Sequence, residues 1–194
     1  GFDSSLIPQM ITQLKNKHPK AMVVMTTPIA QFAKGSVKNI PLVYSVITDP
    51  IEAGLSSMIG SSDKQDMNLL LGFAKQLIPQ AKKVGLLYAT AEANDRALVN
   101  MMKQAALKAG LELVAVPVDS AREVPLRMEY FNQAEHKVDF IYVGTSGPIQ
   151  PTLPVIASKA KKMGIPVFNV DSEAVKSGLV LASFGVNYEQ VGAN

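Results

Sequence analysis

The sequence has no cysteine among its 194 residues, which excludes disulfides, thiolate metal sites and cysteine nucleophiles and leaves the redox compartment open. It also has no long apolar run: Lys, Asp or Gly interrupts every candidate, Ala21 to Thr27 included, well short of the roughly 20 residues that cross a bilayer. Histidine is scarce. His18 and His136 each sit in a polar stretch ahead of an expected strand, with no second histidine at metal-ligand spacing, so solvated surface is the expected role of both. There is no Gly-rich dinucleotide fingerprint and no phosphate loop ending in Gly-Lys-Ser/Thr. Gly144-Thr145-Ser146-Gly147 approaches a nucleophile elbow, but Pro148 stands where the second glycine of that motif belongs. No export signal or lipid-attachment motif stands at Gly1, so such a signal is expected to have been removed or to lie outside this segment.

Hydrophobic residues make up 47% of the chain against 18% charged, enough for a sizeable core. The formal net charge is +3, yet the lysines are scattered along helix surfaces with few aromatics between them, which is not a nucleic-acid footprint. The densest basic run, Lys159, Lys161 and Lys162, falls in the last turn of an expected helix, where cations favour the negative end of the dipole. Nucleic acid is therefore not an expected partner. The nine methionines read as gap-filling core rather than a cofactor box, and no cofactor is expected.

Short Val- and Ile-rich runs alternate with amphipathic stretches, the pattern of parallel strands joined by crossover helices. Strands are expected at Ala21 to Thr26, Pro41 to Ile47, Lys83 to Ala89, Leu111 to Val118, Asp139 to Gly144, Pro166 to Val170 and Leu179 to Phe184. Their lack of apolar/polar alternation implies burial on both faces. Leu98, Met101, Met102, Ala105 and Ala109 form a helical face that Gly110 terminates. Ser120 with Glu123 suggests a capping box opening a helix through Met128 and Phe131, although Pro125 argues against that start. Leu153, Ile156, Ala160 and Met163 form another face, closed by Gly164 with Pro166 beyond and with Pro151 and Pro154 in its first turn. Met67 to Ile78 forms one more, preceded by the polar stretch Gly60 to Asp66, where a boundary between two lobes is placed. The chain opens with a helix-like segment from Leu6 to Leu14 and closes with helix-like turns from Tyr188 to Asn194.

Ligands of open parallel sheets bind beyond the carboxyl ends of the strands, where helix N-termini offer free N–H groups. The residues there are small and polar: Thr26, Thr27 and Pro28; Thr48, Asp49 and Pro50; Thr90 through Asp95; Thr145, Ser146 and Gly147; and Asp171 with Ser172. Such a set suits a compact polar ligand, with a carboxylate at the Thr27 or Asn94 helix start and an ammonium at Asp49 or Asp171. Each position alone also reads as a helix N-cap, so only the collective pattern carries weight. Glu92 with Asp95 could in principle be an acid and a base, but nothing in the sequence holds them in a defined geometry.

The segments Met25-Thr26-Thr27-Pro28-Ile29-Ala30-Gln31, Ile40-Pro41-Leu42-Val43 and Val46-Ile47-Thr48-Asp49-Pro50-Ile51-Glu52-Ala53-Gly54-Leu55 resemble the ABC transporter substrate-binding family that includes tryptophan- and tyrosine-binding members. Ile78 to Tyr88, Gly164 to Phe168 and Ala182 to Tyr188 are similar in sequence and spacing. The resemblance implies a type I periplasmic-binding-protein fold: α/β, two Rossmann-like lobes with parallel sheets, and a ligand in the cleft between them. It implies a partial first lobe at 1–62 that lacks its opening strand-helix-strand, a second lobe at 63–186, and a return segment at 187–194. It carries Thr27, Pro28, Thr48, Asp49, Tyr88, Asn94 and Asp171 over as pocket residues, to which the strand tips add Asp95, Thr145 and Ser146. The family commonly has an acidic residue after the fifth strand above, where this chain has Ser146 and Gly147, and its Gly-rich loop before the lobe crossing is shortened here to Ser56 through Gly60.

The function implied is binding without catalysis: an amino acid-like molecule, aromatic if Tyr88 serves as a stacking face, delivered to the membrane permease of an ABC importer. A periplasmic, or extracellular and membrane-anchored, location follows from that role. A ligand-sensing domain of repressor type shares the architecture, and a small α/β enzyme is the third reading.

Overall fold

The alternation of apolar runs and amphipathic stretches becomes eight strands among the described residues, 4–193 of a computed structural model. They are β1 (Met22–Met25), β2 (Leu42–Ile47), β3 (Ile59–Ser62), β4 (Lys83–Ala89), β5 (Glu112–Val118), β6 (Phe140–Val143), β7 (Val167–Asn169) and β8 (Ala182–Ser183). The helices are α1 (Ile7–Lys15), α2 (Thr27–Ser36), α3 (Met67–Leu77), α4 (Ala93–Ala109), α5 (Val124–Met128), α6 (Leu153–Met163), α7 (Ser172–Lys176) and α8 (Tyr188–Ala193). The chain divides into two compact units: Gly1–Gln65 with Val186–Asn194, and Asp66–Gly185. Asn194, which closes the last expected helical segment, lies outside the described residues.

The second unit is a five-stranded sheet in the order β5-β4-β6-β7-β8, parallel throughout. Its strands are apolar on both sides because both sides are covered. Val84, Leu86, Phe140, Tyr142 and Phe168 pack under α3 and α4 with Leu70, Leu71, Leu98 and Met102. Leu87, Val116, Ile141 and Val143 pack under α5, α6 and α7 with Met128, Phe131, Ile156 and Ala160. Each large side chain buried in this way contributes about 1.5–3 kcal/mol. The helical faces stop where the glycines stand: Gly110 after α4 and Gly164 after α6 take left-handed backbone, with φ of 66° and 69°.

This strand order has a direct consequence for binding. From β4 the chain moves first to one side, forming β5, and then to the other, forming β6. The loops after β4 and β6 therefore diverge to opposite faces and leave a crevice between them, the topological switch point where ligands of doubly wound sheets settle.

The first unit is a parallel sheet in the order β1-β2-β3. One face carries the core, where Met22, Val24, Tyr44 and Ile47 meet Ile7 and Ile11 of α1 and Ala30 and Ala33 of α2. On the other face Val23, Val43 and Ile59 lie side by side in register, with Val23 70% and Ile59 81% exposed. α8 packs against β2 and β3, with Val191 buried.

Three expectations need correction. The polar stretch beginning at Gly60 contains most of a strand, β3, which pairs with β2 from Ile59 to Ser62. Neither Gly nor Ser favours strand, so pairing alone makes this segment extended. Gly60 is required there, because a Cβ would sit 2.1 Å from the Tyr44 carbonyl oxygen. The Ser120 capping box does not form: Ser120 makes no side-chain cap bond. A 3-10 turn at Ala121–Glu123 leads instead into α5, with Pro125 in its first turn, where no donor is lost. His136 is not simply solvated, since its ring stacks on Tyr130 at 4.0 Å between centroids. His18 is exposed.

Candidate functional site

The switch point of the second unit gathers the densest set of buried polar groups. β4 ends at Ala89, and after a short turn α4 begins with Asn94 and Asp95 in its first turn. Both are buried, at 9% and 2% exposure. Asp95 Oδ2 accepts from the Ala89 N–H at 2.5 Å, which ties the helix start to the strand end. Burial raises the Asp95 carboxyl to about 6, with the negative Glu92 adding to the rise, while the Ala89 N–H and the Ser146 hydroxyl oppose it. Ser146 therefore stands beside Asp95, yet its Oγ makes no hydrogen bond of good geometry.

Glu92 bridges the two diverging loops. Its Oε2 accepts from the Gly147 N–H at 3.1 Å, after β6, and from Asn94 Nδ2 at 3.1 Å. Asn94 Nδ2 also reaches Asp95 Oδ1 at 3.2 Å. Gly147 is small for a reason, since a Cβ there would meet Glu92 Oε1 at 2.5 Å. Two buried acceptors in the cluster have no partner, Asn94 Oδ1 and Ser146 Oγ.

Beside this cluster, Asn169 at the end of β7 is fully buried and fully occupied. Its Nδ2 donates to the Val143 carbonyl and to Gln150 Oε1, both at 2.9 Å, and its Oδ1 accepts from Gln150 Nε2 and the Asp171 N–H. It braces the tips of β6 and β7. Asp171 is exposed and caps α7 through the Glu173 N–H. Tyr88 is half-buried one residue before the end of β4, and Thr145 is exposed beside Ser146.

In the first unit, Thr27 is buried and Pro28 half-buried at the start of α2. Thr26 before them has φ of 70° and makes no cap bond. Val46 has φ of 60° within a register shift of β2. Left-handed backbone at two β-branched residues costs on the order of 1–3 kcal/mol each, and it re-aims the residues at the neighbouring tips of β1 and β2. Asp49 accepts from the N–H groups of Ile51 and Glu52 and pairs with Lys64 at 2.8 Å. Burial alone would raise its carboxyl, but Lys64 and the two N–H groups outweigh it and hold it below the ordinary value. Asp63 is buried with one oxygen unpartnered, and burial raises its carboxyl against a hydrogen bond from Thr48.

The residues expected at strand tips thus form two groups. Asn94, Asp95 and Ser146 come together in the second unit, with Tyr88 and Thr145 near them in sequence and Asp171 turned to capping. Thr27, Pro28, Thr48 and Asp49 occupy adjacent strand ends of the first. Gln150, Asn169 and Asp63 are not among the residues expected from sequence, and Glu92 and Gly147 are expected only as members of the strand-tip set, not as pocket residues. Glu92 had a signal, its pairing with Asp95, but the bond to Gly147 spans 55 positions and leaves no local trace.

A surface pocket in the second unit is lined by Glu129, Asn132, Lys159, Lys162 and Met163. It lies at the C-terminal end of α6, away from the strand tips, and Lys159 is already paired with Glu129. Among the described residues, no group of three His, Cys, Asp or Glu side chains could hold a metal ion, and no helix is long and apolar enough to cross a membrane.

A doubly wound parallel sheet with polar side chains converging at its switch point defines a small-molecule-binding α/β protein. The chain belongs to the ABC transporter substrate binding protein family, whose profile it matches over residues 2–194, and it has the type I periplasmic-binding-protein fold. The family is one of binding proteins rather than enzymes. The chain is 32% identical over 176 residues to a tyrosine-binding protein of Clostridioides difficile, covering 87% of this chain and 50% of the relative. It resembles the ABC domain from Streptococcus pneumonia solved in complex with L-Trp, with a TM-score of 0.88 and 28% identity, over 98% of this chain and 66% of that one. A conserved domain protein from Vibrio cholerae gives a TM-score of 0.87 at 25% identity, with the same coverage. The chain thus spans half the length of the curated relative and 66% of these structures.

Proposed function

We propose that this chain belongs to the ligand-binding component of an ABC import system and that its ligand is an amino acid with an aromatic side chain. The observation that carries the proposal is the buried polar cluster at the switch point of the second unit, where Asn94, Asp95 and Ser146 converge and two acceptors lack partners. Family membership and relatives described as binding tyrosine or solved with L-Trp support this ligand class. Tyr88, half-buried near the end of β4, is assigned the aromatic contact.

In this reading lobe 1 comprises residues 1–62 with 187–194, lobe 2 comprises 63–186, and Thr27, Pro28, Thr48 and Asp49 are the contribution of lobe 1. Ligand that touches both lobes favours the closed arrangement through its differential affinity, with hinges at the two crossings. A membrane permease is the partner, and the site of action is periplasmic or extracellular.

A thermal-shift titration of the whole protein tests the ligand class. L-tyrosine or L-tryptophan at about 100 times its Kd stabilises the folded state by about 2.7 kcal/mol, a rise of several degrees in Tm. An unchanged Tm with every aromatic amino acid at millimolar concentration rules the proposal out.

A further inference from the structure

Glu92 and Asp95 place two carboxylates at the start of α4, and neither takes part in an ion pair among the described residues. Of the acids at other strand tips, Asp49 is paired with Lys64, Asp171 caps a helix turn, Asp119 accepts from the Thr90 hydroxyl and Asp63 keeps one buried oxygen unpartnered in the first unit, whereas Glu92 and Asp95 stand together. The N-terminus of α4 offsets only about half an elementary charge. The switch point is therefore a negative site without a counter-charge, and it repels a carboxylate.

The neutral side chains of the cluster point to what it accepts. Asn94 and Ser146, both more than nine-tenths buried, keep Oδ1 and Oγ unpartnered. Asn94 cannot gain by flipping its amide, because its Nδ2 already serves two acids, Glu92 and Asp95. Glu92 is held by the Gly147 N–H and Asn94 through Oε2 alone, which leaves Oε1 for another donor. A divalent cation would require more carboxylates, and no group of three potential ligands exists among the described residues. An ammonium has three diverging N–H donors and no acceptor, which matches three acceptors and an excess of negative charge.

We infer that Glu92, Asn94 and Ser146 form a subsite for a primary ammonium group of the ligand, with the Gly147 N–H holding Glu92 in position. The inference rests on the ligand-binding reading above and deepens it: the ligand is recognised by its amine on the second unit, at residues distinct from Asp49 and Asp171.

Calorimetry on the whole protein with two pairs of probes tests this. One pair is L-tyrosine and 3-(4-hydroxyphenyl)propanoate; the other is L-tryptophan and indole-3-propanoate. The wild type is expected to prefer the amino acid by about thirty-fold or more, the effect of removing one partner of a buried charge pair. E92Q is expected to lose most of that preference while its affinity for the des-amino acid stays within about threefold. G147A reaches the same end without touching a charge, because its Cβ displaces Glu92 Oε1, and far-UV circular dichroism checks that both variants are folded. Equal binding of the two members of each pair by the wild type, or equal weakening of both in folded variants, overturns the subsite. Wild-type protein that binds neither pair overturns the aromatic amino acid reading itself, and the subsite with it.

Discussion

Asp95 is the residue on which burial acts most strongly. Its folded-state value of about 6 stands above the ordinary 3.8, so folding disfavours its charged form. An acid shifted in this direction binds more protons folded than unfolded between the two values, and stability falls as pH rises through that window. The shift corresponds to about 3 kcal/mol, reached near pH 7 and absent below about pH 3.5. The D95N variant has no titrating group at this position. The stability of D95N relative to wild type is therefore expected to improve by up to about 3 kcal/mol between pH 3.5 and 7, whatever constant offset the substitution brings. Asp63, whose value burial also raises, has the same sign in both proteins and cancels. Urea unfolding curves that run parallel across this range would show that the Asp95 charge is not desolvated. At this scale the sequence was a partial guide: Asn94, Asp95 and Ser146 were legible as strand-tip polar residues. Their division into bonded and unpartnered atoms was not, because it depends on a loop about 50 residues away.

At the scale of elements, α4 and α6 end as their apolar periodicity and terminal glycines require. Gly110 and Gly164 have positive φ and open space where a Cβ would go, so substitution meets conformational strain and no clash. Gly110→Ala and Gly164→Ala are each expected to lower stability by about 1 kcal/mol, measured by denaturant unfolding. The two sites lie on opposite faces of the sheet, so the double variant should sum to about 2 kcal/mol. A negligible loss would mean that the helix ends refold around alanine. Legibility failed where an element depends on a partner. β3 has the composition of a loop, and only the edge of β2 makes it a strand. Ser120 and Glu123 had the residues of a capping box, but the 3-10 turn ahead of Pro125 took the helix start elsewhere.

The two units differ most at the scale of the whole molecule. Asp66–Gly185 has a sheet covered on both faces and one continuous segment of chain. The sheet of the first unit carries the exposed row Val23, Val43 and Ile59, unusual for parallel strands. Segment 66–185 expressed alone is expected to unfold cooperatively in urea with little binding of a hydrophobic dye, whereas segment 1–65 alone binds the dye strongly. A broad, dye-binding transition for 66–185 would contradict this account of its core.

Apolar periodicity, terminating glycines and the order of elements are local properties, and from them the sequence by itself determined an α/β chain of parallel strands with polar residues at their tips. Only the tertiary structure decided which tips meet. The strand order put β4 between β5 and β6, and this brought Glu92 against Gly147 and left Asn94 and Ser146 with acceptors to spare. Such convergence depends on the path of the chain between strands, and no spacing along the chain encodes that path.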